Sequence, residues 1–158
     1  MSFPRRAACL ALACVCATPA AGQLLPHKDL SLAAALATGA VDHCKAEGYA
    51  VSVAVVGREA QSLVHLRGDG SSPHSMENSF RRAYTALTYR APSGSVEKRV
   101  RNDPGDQLVH LHEVIAAQGG LPVIVDGDVI GAVAVSGSPG GDKDEACAKA
   151  GLDRPPTS

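Results

Sequence analysis

The chain has 158 residues, 45% of them hydrophobic and 20% charged, and a formal charge of -1. That length and balance fit one globular domain with enough core to fold without a compulsory metal, and they exclude fibrous and disordered classes. No long run of Lys or Arg is present and aromatic residues make up only 3%, which excludes both a phosphate-tracking face and a base-stacking platform.

The first segment reads as an address. Arg5 and Arg6 precede an apolar run over residues 7–17, and Pro19, Ala20, Ala21 and Gly22 supply the small residues of a cleavage site. The run is too short for a bilayer, which needs about 20 residues. A secretory signal over 1–22 is therefore expected, cleaved after Ala21 or Gly22, with export to the periplasm or the outside of the cell. Cys9, Cys14 and Cys16 leave with it. Cys44 and Cys147 then meet an oxidising compartment, where they either bridge nearly the whole domain or lie buried as free thiols.

Residues 32–47 predict a first helix, with Ser31 as its cap, Leu32, Leu36, Ala40 and Cys44 on one face, and Gly48 at its left-handed end. A valine-rich stretch over 50–56, a turn over 57–60 and a partner strand over 61–67 make a β-hairpin. The polar loop 68–74 leads to a second helix over 75–90, whose apolar stripe is Met76, Phe80, Ala83, Tyr84 and Leu87. A short charged helix over 96–102 lies between breakers, and over 108–117 helix and strand readings compete. Strands over 121–125 and 129–136 around the turn 126–128 form a second hairpin. A flexible loop then leads, with Asp142 as cap, into a terminal helix over 142–150, and residues 154–158 form a loose tail. The order predicts a single α+β domain over 23–153, an antiparallel sheet flanked by helices.

Several runs match a known pattern: Leu66-Arg67-Gly68-Asp69-Gly70, residues 75–80, Arg81-Arg82-Ala83-Tyr84-Thr85-Ala86, Gly119-Gly120-Leu121-Pro122-Val123 and Gly131-Ala132-Val133-Ala134-Val135-Ser136-Gly137. With Asp144 and Ala148-Lys149-Ala150-Gly151-Leu152 they resemble the GlcG/HbpS family, in order, over roughly residues 30–152. The resemblance implies a sheet of about five strands packed with helices, homo-oligomers, and binding of haem or a related tetrapyrrole. It also implies a carrier, scavenger or accessory redox-sensor role with a possible sensor or redox partner protein. A haem-dependent peroxidase-like or haem-degrading enzyme, or a cofactor-free assembly module, is the alternative.

Haem requires an axial donor for its iron and cations for its two propionates. Of the six histidines, His27, His43, His65, His74, His110 and His112, the leading donor is His74, which sits in the loop just before the second helix. His110 and His112 come next as iron or metal ligands. In an extended chain their rings share one face about 6 to 7 Å apart, whereas in a helix they diverge by about 200°. His65 ranks third, facing outward from its strand. For each of these, an ordinary exposed histidine is the alternative. Arg67, Arg81, Arg82 and Arg90 surround the second helix, and Arg67 and Arg82 are the expected propionate partners, against the alternative of a solvated charged flank. The glycine-rich loop over 137–142 lacks the Lys of a phosphate-binding loop, and no nucleophile-elbow sequence is present, so no catalytic residue is assigned.

Overall fold

The computed structural model describes residues 28–154, so the expected signal over 1–22, His27 and residues 155–158 lie outside the described residues. Helix α1 spans Lys28–Ala46, and the turn after it uses Gly48 at φ 81° as expected. Because the helix begins at Lys28, Ser31 lies inside it and is not its cap. Strands β1, Ser52–Gly57, and β2, Ser62–Arg67, form the first hairpin. Helices α2, His74–Tyr89, and α3, Ser93–Asn102, follow, then a 3-10 turn over Gln107–His110. Strands β3, Gly120–Val125, and β4, Asp128–Ser136, form the second hairpin, and helix α4 spans Gly141–Leu152. The tight turn between β3 and β4 places Asp126 and Gly127 at φ 51° and 84°, the paired left-handed geometry that matches strand twist.

The sheet order is β2-β1-β4-β3 with every neighbouring pair antiparallel. Both faces are covered. Val53, Val55, Val133 and Val135 point to α1 and α4, while Ala54, Val56, Ala132 and Ala134 point to α2. The alternation of valine and alanine explains the asymmetry: large side chains fill the two-helix layer, and alanines let Ala83 and Ala86 of α2 approach closely. The α2 stripe is accordingly one of small residues, with Phe80 and Leu87 half-buried at its margin.

Among the described residues the sheet has four strands, close to the about five that the family likeness implied. Of residues 108–117, for which helix and strand readings competed, 108–110 lie in the 3-10 turn, and the stretch from 111 to 119 forms neither helix nor strand. Side chains satisfy much of this backbone in place of a ladder. Ile115 N–H donates to Thr85 Oγ1 at 2.9 Å, Arg81 Nη2 donates to the Val114 carbonyl at 3.0 Å, and Gln118 N–H donates to Glu97 Oε2 at 2.8 Å. Val96, Leu108 and Val114 form the small core beneath it, against Tyr84 and Tyr89.

Cys44 on α1 and Cys147 on α4 are bonded as a disulfide, their Cα atoms 5.5 Å apart, and both are buried in the two-helix layer. The start of the expected loose tail is anchored: Arg154 Nη1 donates to Asp42 Oδ2 at 2.8 Å. Among the described residues no helix is long and apolar enough to cross a membrane.

Candidate functional site

The loop between β2 and α2 is built on hydroxyls. Ser52 Oγ lies 2.8 Å from Ser75 Oγ and 3.2 Å from Ser71 Oγ, and all three serines are buried. Ser75 Oγ also donates to the Ser72 carbonyl at 2.6 Å. These bonds fix the start of α2 against the first residue of β1. His74 is the first residue of that helix rather than a loop residue before it, and its side chain is exposed. Behind it, His65 faces α2 and not solvent, with Nε2 3.0 Å from the Met76 carbonyl and 3.1 Å from Ser79 Oγ. The register explains this: His65 pairs with Ala54, which points to the α2 side.

The four arginines around α2 have separate fates. Arg67 Nη2 donates to the Ser71 carbonyl at 3.0 Å, so the end of β2 is tied to the loop that delivers His74. Arg82 turns inward, donating through Nη1 to the Val135 carbonyl at 2.7 Å and to Asp144 Oδ2 at 2.5 Å. With 12% of its side chain exposed it is committed to the core, which corrects its expected place beside a propionate. Arg81 reaches Val114, as above, and Arg90 lies exposed at the end of α2.

Loop 137–141 also differs from expectation. The residue before α4 is Gly140, Asp142 makes no cap and is exposed, and the buried Asp144 accepts the Ser138 N–H at 3.0 Å. His110 closes the 3-10 turn and Leu111 is extended, so His110 and His112 share neither a strand nor a helix. Both are exposed, and His112 Nδ1 lies 3.0 Å from Glu113 Oε1. Asp106 caps that turn by accepting the Leu108 N–H at 3.0 Å. This backbone bond, aided by Arg99, holds its carboxyl below the usual carboxylate value. His43 is exposed on α1. Among the described residues no group of three or more His, Cys, Asp or Glu is placed to hold a metal ion.

An open cleft lies at the end of the sheet where β1 begins and β2 ends. Arg67 and Asp69 form one wall, Lys45 and Tyr49 the other, and Val41 and Val51 lie at its base. Lys143 of α4 sits 6.0 Å from the centre of the Tyr49 ring. Sequence reasoning singled out Arg67 but missed Lys45 and Tyr49. The last turn of α1 carries no mark of facing the end of β2, a strand reached only after the next hairpin.

Haem makes three demands that the residues of this cleft can be compared with: cations for its carboxylates, a donor for its iron and apolar contact for its ring. A guanidinium and an ammonium suit two carboxylates, a phenol oxygen is a known donor to haem iron, and apolar residues lie below. The residues present fit the group, although Asp69 adds one carboxylate to the wall. His74, His110 and His112 are not among the cleft's lining residues.

The family model for "Haem degrading protein HbpS-like" matches residues 29–153. The chain belongs to the HbpS-like family. Among curated relatives, a 15.0 kDa protein encoded between dhaT and dhaS of Citrobacter freundii is 36% identical over 90 residues. That match spans 55% of this chain and 63% of the relative, so the chain spans less than two thirds of its length. Protein GlcG of Escherichia coli K12 is 32% identical over 105 residues, 66% of this chain and 78% of GlcG. A solved double mutant of Streptomyces reticuli HbpS superposes with a TM-score of 0.75 at 35% identity, covering 94% of this chain and 97% of that one. The PduOC:heme complex, at 21% identity and a TM-score of 0.71, shares the fold over 85% of this chain and 99% of its own.

Proposed function

We propose that this HbpS-like chain is an exported haem-binding protein, acting as carrier, scavenger or accessory redox sensor, and that it self-associates. One observation supports this site: Arg67, which lines the cationic cleft, donates to the Ser71 carbonyl in the loop that leads to His74. In this reading Arg67 and Lys45 pair with the two propionates, and His74 at the exposed start of α2 supplies an imidazole. Bound haem would supply an iron able to accept such a donor. The family's description and the Streptomyces HbpS likeness support the haem reading. The buried disulfide supports an oxidising compartment.

Haem titration of the processed chain tests it. His74→Ala should weaken binding by about 10- to 100-fold and shift the Soret band, as expected when a metal site loses a contributing group. Arg67→Ala should weaken binding without moving the band. Parent spectrum and affinity in His74→Ala, His110→Ala and His112→Ala would exclude histidine ligation at these three sites and turn attention to Tyr49 or a threonine. Haem degradation is the second reading, favoured by the family's description. Loss of haem absorbance with release of iron under a reductant and oxygen would establish it, and stable haem would leave binding alone.

A further inference from the structure

Eight arginines lie within the described residues, and six of them, Arg67, Arg81, Arg82, Arg99, Arg101 and Arg154, bond a carbonyl or a carboxylate. The other two, Arg58 and Arg90, have no such partner, and they line one cleft. The cleft is open and lies between the turn after β1, the end of α2 and the start of β4. It is at the opposite end of β1 from the Arg67 cleft. Half-buried Tyr84, Leu87 and Val129 contribute apolar atoms to a lining that is otherwise mostly polar. The Tyr84 hydroxyl makes no hydrogen bond, while Thr88 Oγ1 is engaged with the Tyr84 carbonyl at 2.8 Å.

The backbone adds a second observation. Arg90 ends α2 at φ 51°, the left-handed position where glycine is strongly preferred, and Ala60 in the facing turn has φ 61°. A cation near a helix C-terminus gains from the helix dipole, which accounts for Arg90 alone. It does not account for Arg58, which arrives from a strand turn distant in sequence and brings a second guanidinium without a carboxylate partner to the same cleft. Glu59 stands in the same wall, yet its carboxylate pairs with neither arginine.

From this juxtaposition we propose that the Arg58–Arg90 cleft is a second ligand site, for a small dicarboxylate with an aromatic or apolar body. Each guanidinium takes one carboxylate as a two-pronged hydrogen-bonded pair, the ring or hydrocarbon lies on Tyr84 and Leu87, and the Tyr84 hydroxyl donates to a carboxylate oxygen. Glu59 disfavours bulkier or more highly charged anions by repulsion. The site is independent of the haem reading, since it shares no residue with the Arg67 cleft.

Calorimetric titration of the full chain with phthalate, benzoate and inorganic phosphate tests the proposal. Phthalate should bind most tightly, and Arg58→Ala or Arg90→Gly should each weaken it by about tenfold, the order of one charge-assisted contact. Arg90→Gly relieves the left-handed position, so its thermal midpoint should hold or rise while binding falls; this separates a ligand role from a folding role. Glu59→Gln should tighten phthalate several-fold. Equal phthalate affinity in the parent and in the double variant Arg58→Ala/Arg90→Gly would overturn the site, as would phosphate binding as tightly as phthalate. Haem affinity, measured in parallel, should be the same in the double variant as in the parent; a parallel loss would assign this cleft to haem instead.

Discussion

Arg82 of α2 and Asp144 of α4 meet at the end of β4, although their helices lie on opposite faces of the sheet. The Arg82 guanidinium passes beside Gly119, where a Cβ would come within 2.9 Å of Nη1, and the glycine therefore leaves the passage open. The pair joins both helical layers, and it leaves Asp144 with only 2% of its side chain exposed. Removing one partner of such a pair strands the other charge away from water. Arg82→Ala should therefore cost about 3 to 5 kcal/mol of stability in urea denaturation, and Arg82→Lys less. Haem affinity of the folded protein should not change, because this arginine is already occupied; a specific loss of haem at full stability would return Arg82 to the propionates.

The Cys44–Cys147 bridge closes a loop with a sequence separation of 103. Loop-closure entropy assigns such a bridge about 4 to 5 kcal/mol at 25 °C, acting mainly on the unfolded chain. Reduction, or the pair of changes Cys44→Ala and Cys147→Ala, should lower the thermal midpoint sharply while leaving the circular dichroism of the folded state in place. Intact mass should rise on reduction by two hydrogen atoms, one on each cysteine sulfur. An unchanged midpoint would show that the bridge carries no stability.

Asp106 provides a pH dependence with a definite sign. Its folded pKa lies below the ordinary 3.8, chiefly because the Leu108 N–H bonds the carboxylate, so the charged form favours the folded turn. That contribution is complete above 3.8 and fades as pH falls through the depressed folded value. Asp106→Asn should unfold at lower denaturant than the parent at neutral pH, and the gap should close only in acid. A gap that stays constant down to the acid limit would count against the cap.

The proposed export makes a sharp chemical prediction. Protein recovered from outside the cytoplasm should begin at Gly22 or Gln23 on N-terminal sequencing. A chain starting at Met1 and confined to the cytoplasm would exclude the export route and its oxidising compartment.

Self-association should use the free sheet edges. Ile124 and Val125 at the end of β3 are 58% and 43% exposed, and Leu66 on the opposite edge strand β2 is 36% exposed. Edge backbone and apolar side chains together invite a second copy. Light scattering should give several monomer masses, and Ile124→Lys should lower that mass. A parent protein that is strictly monomeric at micromolar concentration would refute assembly.

Elements with a strong local pattern were legible in the sequence by itself. Period-two valines and alanines specify β1 and β4, the Asp126-Gly127 pair specifies its turn, and the glycines and prolines bound the helices, because these signals depend on neighbours a few residues away. The family runs were legible for the same reason. Only the tertiary structure decided the fate of particular side chains. Arg81-Arg82 reads as one charged flank, yet Arg81 bonds the 111–119 segment while Arg82 crosses to Asp144. His65 reads as an outward strand residue, but the covering of both sheet faces turns it onto α2. The irregular course of residues 111–119 has the same origin: their backbone bonds the side chains of Thr85, Arg81 and Glu97, which only packing brings near. Arg58 and Arg90 likewise come to share a cleft because pairing of β1 with β4 sets the first turn beside the end of α2, a proximity that no spacing along the chain encodes.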